Sequence, residues 1–144
     1  MIDKRFDSNY LVSGESNGEL LFTHTPISFW GSFDPETGEI IDTRSDLFGE
    51  NVSGRVLAFP EGIGSSTASV VLLESVRNST HPLGIINVKP DPIIVTGALL
   101  AKELYQVDVP VVTLRAGDFK KLEGCKNVSL DSTKGEVVAS VDKK

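Results

Sequence analysis

Cysteine is nearly missing from this chain: Cys125 is alone among 144 residues. A single thiol excludes an internal disulfide and any cysteine cluster that would hold a metal or an iron–sulfur centre. Histidine is scarce too. His24 and His81 lie far apart, just before a Thr-Pro and a Pro step, and both are expected in loops or at the surface. Basic residues are outnumbered, with 14 Lys and Arg against 20 Asp and Glu and a net charge of −6. That is the wrong sign for general nucleic-acid binding, which needs a basic footprint. No apolar run approaches the roughly 18 residues needed to span a bilayer. The start, Met1-Ile2-Asp3-Lys4-Arg5, is charged and leads into no apolar stretch of signal-peptide type, so a cytoplasmic location is expected. Chemistry here must use hydroxyls, carboxylates or backbone amides, or borrow a cofactor from a partner.

What is present fits an ordinary globular protein, 40% hydrophobic and 24% charged. The expectation is a single domain over residues 1–144, frayed at about 1–8 and 142–144. Short apolar runs at Tyr10–Val12 and Leu20–Thr23 read as strands around a turn-rich stretch. Ile27 to Gly31 reads as another, and Ile40-Ile41 returns beside it over the turn Asp34-Pro35-Glu36-Thr37-Gly38. From Val52 to Tyr105 strands and helices alternate. Val52–Phe59 is extended. A helix runs from Ser65 or Ser66 to about Arg77, with Val70, Val71, Leu73 and Val76 at helical spacing. Gly84–Val88 is a buried strand. Ile93–Tyr105 is a second helix, with Ile94, Ala98, Ala101 and Leu104 on one face. Val109–Leu114 is a further strand, Asp118–Leu122 a helical turn, and Asn127–Leu130 with Glu136–Val141 a closing hairpin. Right-handed crossovers make the middle a parallel layer. The fold class is α/β: a mixed sheet or partly closed barrel carrying two main helices.

The loop between the Val52–Phe59 strand and the first long helix is Gly62-Ile63-Gly64-Ser65-Ser66-Thr67. That placement presents backbone N–H groups and the positive end of a helix dipole, which suit an oxyanion, carboxylate or phosphate. Glycines also make turns and serines also cap helices, so the spacing alone is weak evidence for a site and favours a purely structural role. No lysine follows the glycines as in a nucleotide P-loop, and the third glycine of a dinucleotide fingerprint is missing.

Gly64-Ser65-Ser66 resembles the Gly-Ser-Ser of the swivelling domains of aconitase and isopropylmalate isomerase small subunits. A longer ordered series resembles the swivel domain of aconitase X: Ile27–Gly31, Asp34–Asp42, Gly54–Leu57, Gly62–Ser69 and Pro92–Tyr105. The resemblance implies a swivelling β/β/α fold and a role as the small subunit of an iron–sulfur-dependent hydro-lyase that removes water from a hydroxylated acid. It implies a cysteine-bearing large subunit as partner, with the iron–sulfur cluster held there and not by this chain. It assigns the general base to Ser65 and substrate binding to Gly62, Gly64, Ser66 and Thr67. It implies inactivity without the large subunit. The substrates implied are cis-3-hydroxy-L-proline, which the Ser-Ser-Thr-Ala-Ser run and Phe29-Trp30 favour, or mevalonate 5-phosphate. Aconitase proper has an arginine where Thr67 stands, and many aconitase X members have a basic residue where Ile63 stands. Counter-charge for an anionic substrate is therefore expected from the large subunit, or from Arg55 or Lys89 if either folds inward.

Other residues admit plain readings. Trp30, the only tryptophan, suits an interface anchor as well as a core. Asp34 is a turn residue, Ser69 a support for the loop or a solvent-facing helix serine, and Cys125 structural. Asn78-Ser79-Thr80 matches a glycosylation sequon without a secretion signal. Two non-enzymatic readings stay open: a docking or regulatory module using the same fold, and a stand-alone anion binder.

Overall fold

The computed structural model describes residues 2–64 and 66–141. Ser65, Met1 and residues 142–144 lie outside the described residues.

The elements run β1 (Ile2–Asp7), β2 (Asn9–Val12), β3 (Glu15–Phe22), α1 (Phe29–Ser32), β4 (Arg55–Ala58), α2 (Thr67–Arg77), β5 (Gly84–Asn87), α3 (Pro92–Tyr105), β6 (Val111–Thr113), α4 (Ala116–Lys120), β7 (Asn127–Asp131) and β8 (Glu136–Val141). The strands form one eight-stranded mixed sheet in the order β1-β8-β7-β3-β4-β5-β6-β2. Strands β3, β4, β5 and β6 are mutually parallel, and antiparallel pairs flank them on both sides. This is the mixed α/β architecture expected from the alternating middle section.

The sheet is not a closed barrel. Its edge strands β1 and β2 share no ladder, yet they are consecutive in the chain and separated only by Ser8. One extended segment thus supplies both edges, pairing with β8 through its first half and with β6 through its second. Tyr10 fastens this seam: its hydroxyl donates to the Glu136 carbonyl at 2.7 Å and accepts from the Asp131 N–H at 2.7 Å.

Alternation along the central strands divides the interior into two cores. Leu57, Ile85 and Val111 face α2 and α3, where Leu72, Ile94 and Ala98 meet them. Val56, Ile86 and Val112 face the other way, toward Phe6, Phe119, Leu130 and Val137. Buried on both faces, β5 reads as a continuous apolar run, as central parallel strands do.

Helices α2 and α3 pack closely. A β-carbon on Gly97 would stand 3.0 Å from the Ser69 carbonyl oxygen. Asp91 caps α3, its Oδ1 accepting from Ile93 N at 2.9 Å and Ile94 N at 3.4 Å, with Pro92 in the first turn.

Several expectations need correction. The segment at 1–8 was expected to fray, but Ile2–Asp7 is a strand because β8 supplies a full antiparallel ladder. Ile27–Gly31 is not a strand of the sheet. It makes one bridge, Ile27 with Gly62, and then turns through Gly31 at φ 93°. Val70 and Leu104, placed on the buried helix faces, are 61% and 56% exposed, while Ala68, Leu72 and Gly97 line the contact instead. The hairpin over Asp34–Gly38 forms as expected, with Phe33 bridged to Ile40 and Asp34 Oδ1 accepting from Glu36 N at 2.9 Å. Among the described residues no helix is long and apolar enough to cross a membrane.

Candidate functional site

The parallel strands β4 and β5 end beside each other and lead into α2 and α3 through the loops at 59–66 and 88–91. Ligands of open α/β sheets bind outside the carboxyl ends of such strands, where helix N-termini also converge. The glycine loop therefore sits where the topology concentrates backbone donors.

Three contacts fix it. Ile27 lies alongside: its N–H donates to Glu61 O at 3.2 Å, and Ile63 N donates to Ile27 O at 3.0 Å. Ser28 crowds Gly64, its Oγ 2.7 Å from where a β-carbon would stand, and that hydroxyl donates to Trp30 O at 2.8 Å. Gly64 also has φ +101°, a backbone state that L side chains rarely adopt. The Asp91 carboxylate occupies the space beside Gly62, so that a β-carbon there would collide with it. Both glycines are required by close approach of a neighbouring side chain, one from the β3–β4 excursion and one from the cap of α3.

Glu61, Ile63, Lys89, Asp91 and Ile93 help line a cleft of about 210 Å³ along this loop. Lys89 Nζ lies 3.7 Å from Glu61 Oε2, so the one lysine of the cleft is already matched by a carboxylate. Arg55 does not reach this end. It begins β4, at the opposite end of the strand, and is held by Glu50 at 2.7 Å and Glu19 at 3.5 Å.

Of the residues singled out from sequence, Gly62 and Gly64 lie together in the loop and Ser66 and Thr67 open α2. Ser65 lies outside the described residues. Ser66 is not a side-chain cap: it has helical φ/ψ of −60° and −14° and its hydroxyl makes no capping bond. Ser69 supports the loop, its hydroxyl donating to Ser66 O at 2.9 Å. Trp30 is 64% exposed and not core. Asn78 spends its side-chain amide on Pro35 O at 3.0 Å, docking the hairpin tip on the end of α2.

Sequence reasoning missed Ser28 and Asp91. The signal for Asp91 was legible, an Asp-Pro step before a helical pattern, but a cap does not announce what its second oxygen touches. Ser28 acts across a bridge of long sequence separation and left no local sign.

Cysteine thiolates are the ligands an iron–sulfur cluster needs, and this chain does not fit one. Cys125 is buried in the second core, where desolvation pushes its thiol pKa up. Among the described residues no group of three His, Cys, Asp or Glu side chains is placed to hold a metal.

Comparison with known proteins agrees with this architecture. The family model of the aconitase X swivel domain matches residues 5–139. A cis-3-hydroxy-L-proline dehydratase of Pseudomonas aeruginosa is 43% identical over 104 residues, which are 72% of this chain and 18% of that protein. The chain thus spans under a fifth of that relative's length. A phosphomevalonate dehydratase small subunit of Methanosarcina acetivorans is 33% identical over 143 residues, covering 96% of this chain and 99% of that one. Among solved structures, Thermococcus kodakaraensis aconitase X in its holo-form superposes with a TM-score of 0.83 at 34% identity, over 94% of this chain and 98% of that one. By family match, full-length relatives and fold alike, the chain belongs to the aconitase X swivel domain family.

Proposed function

We propose that this chain is the small subunit of an aconitase-X-type dehydratase, inactive alone, and that its glycine loop brings the general base Ser65 to an interface with a large subunit. The observation that carries the reading is the loop itself. Gly62 and Gly64 are clamped by Asp91 and Ser28 at the ends of the parallel strands, against the N-terminus of α2. A serine hydroxyl is a poor base unless its surroundings stabilise negative charge. A helix N-terminus supplies that, through aligned amides and its dipole. Gly64, Ser66, Thr67 and the cleft beside them would hold the substrate.

The partner is proposed to be a cysteine-bearing subunit that holds the iron–sulfur cluster. Trp30 and Ile63, 64% and 53% exposed, are apolar groups near the loop that are available for its contact. A cytoplasmic location goes with this reading.

The substrate is proposed to be cis-3-hydroxy-L-proline. The cleft carries both signs of charge, Glu61 and Asp91 against Lys89. A zwitterion with one ammonium and one carboxylate meets both, whereas a phosphate polyanion meets two carboxylates and a lysine already paired. The higher identity to the hydroxyproline dehydratase points the same way. Mevalonate 5-phosphate is the second reading, favoured by end-to-end correspondence with separate phosphomevalonate dehydratase small subunits.

The test is to isolate the tagged chain with its companion from native cells, reconstitute the pair and assay both substrates. Ser65→Ala should lower kcat about 10²–10⁴-fold, the usual loss of a general base, with assembly intact. Ser66→Ala, at a substrate-holding position, should raise KM and leave kcat within a few-fold. Full activity of Ser65→Ala, or turnover by the single chain, overturns the proposal.

A further inference from the structure

We propose that Asp91 is a positioning residue that joins the cap of α3 to the glycine loop, so that loop geometry and helix start move as one unit. The inference rests on the reading that this loop is the catalytic one. It starts from the division of labour between the two carboxylate oxygens. Oδ1 is committed to Ile93 N and Ile94 N, which fixes the side chain on a helix packed against α2. Oδ2 points the other way and stands over the α-carbon of Gly62. The carboxylate is thus a rigid wall for the loop rather than a mobile surface charge.

The crowding at Gly62 is assignable to this one residue. Unlike Gly64, Gly62 is not among the positive-φ glycines, so its backbone accepts an L side chain. The other near group is the flexible end of Ile94, with Cδ1 3.0 Å from the β-carbon position. Asp91 Cγ is 3.2 Å away and Oδ2 closer still. A methyl at position 62 must therefore displace either the loop or the carboxylate, and the carboxylate is held by two amides. The loop yields, and with it the residues that lead into α2. Displacement of a reacting group by about 1 Å typically costs 10²-fold in rate.

Removing the wall should remove the penalty. Asp91→Ser keeps a capping oxygen while withdrawing the group that faces Gly62. Asp91→Asn keeps both the shape and the capping oxygen. In the reconstituted pair, Gly62→Ala should lose about 10²-fold in kcat, with KM changed only a few-fold. The Gly62→Ala/Asp91→Ser double variant should recover to within about tenfold of Asp91→Ser alone, a non-additivity expected of touching residues. Asp91→Asn, which keeps the wall, should leave the loop's amide exchange at the wild-type rate. Amide exchange of Ile63, Gly64 and Ser66 is read in the isolated full chain. Gly62→Ala should speed it at least tenfold, and the second substitution should restore it.

Additive effects on exchange overturn the positioning role. So does an Asp91→Asn variant whose loop amides exchange at least tenfold faster than wild type, which would make the charge and not the shape the active feature. Restored exchange together with a fully active Ser65→Ala enzyme leaves the Asp91–loop unit standing and overturns the catalytic reading instead.

Discussion

Ser28 and Gly64 meet so closely that the Ser28 Oγ lies 2.7 Å from where a β-carbon on Gly64 would stand. The serine comes from the excursion between β3 and β4, and the glycine from the loop before α2. Two penalties therefore coincide in Gly64→Ala: a positive φ at a non-glycine residue, costing about 1–3 kcal/mol, and displacement of a hydroxyl bonded to Trp30 O. The variant should be destabilised by about 2–3 kcal/mol. Adding Ser28→Ala should return the steric part and leave the backbone part. Thermal or denaturant unfolding of the four proteins measures both, and no recovery in the double variant would show that the contact is slack.

Trp30 gives a prediction with little stability content. A side chain 64% exposed contributes little to folding, so Trp30→Ala should change stability by no more than about 0.5 kcal/mol. As an interface anchor it should weaken assembly with the large subunit at least tenfold, since buried tryptophans often carry about 2 kcal/mol or more of binding. Calorimetric titration with the purified partner measures this. Unchanged affinity with an intact fold removes Trp30 from the interface.

Alkaline pH should act on the seam. Burial pushes the Tyr10 phenol up from 10.0 to about 12. A folded-state pKa above the unfolded one means that the native protein holds the proton longer. The associated stability is complete below pH 10 and is lost as pH rises from 10 to about 12. Tyr10→Phe should flatten that dependence in denaturant midpoints taken across the window. At neutral pH it should cost about 1–3 kcal/mol, because Asp131 N and Glu136 O lose their partner. An alkaline slope unchanged in the variant would place the titration elsewhere.

The middle of the chain was legible because each of its signals is local. The periodicity of α2 and α3, the apolar run of β5 and the Asp34–Gly38 turn all act within a few residues. Strand β1 was not legible. Its sequence, Ile-Asp-Lys-Arg-Phe-Asp, looks like a solvated tail, and it becomes a strand only because β8 lies beside it. The outward turn of Val70 and Leu104 was equally hidden. Helix period gives a face, but the close approach of Gly97 to Ser69 rotates that face toward small residues. Of the site, the glycines and the helix start could be read. Their clamps, Ser28 and Asp91, depend on which loops the sheet brings together.

The extended segment that supplies both edges of the sheet also sets an order of events in time. Ile2 pairs with Val141 and Asp7 with Glu136, while Tyr10 pairs with Val112. On the ribosome, residues 2–12 are made long before their ladder partners at 111–113 and 136–141 emerge. Contacts of such long sequence separation form slowly. An unpaired strand that waits is exposed to association with other chains. Asp3, Lys4, Arg5 and Asp7 put charges of both signs along that strand, the kind of residue that acts as a gatekeeper against association.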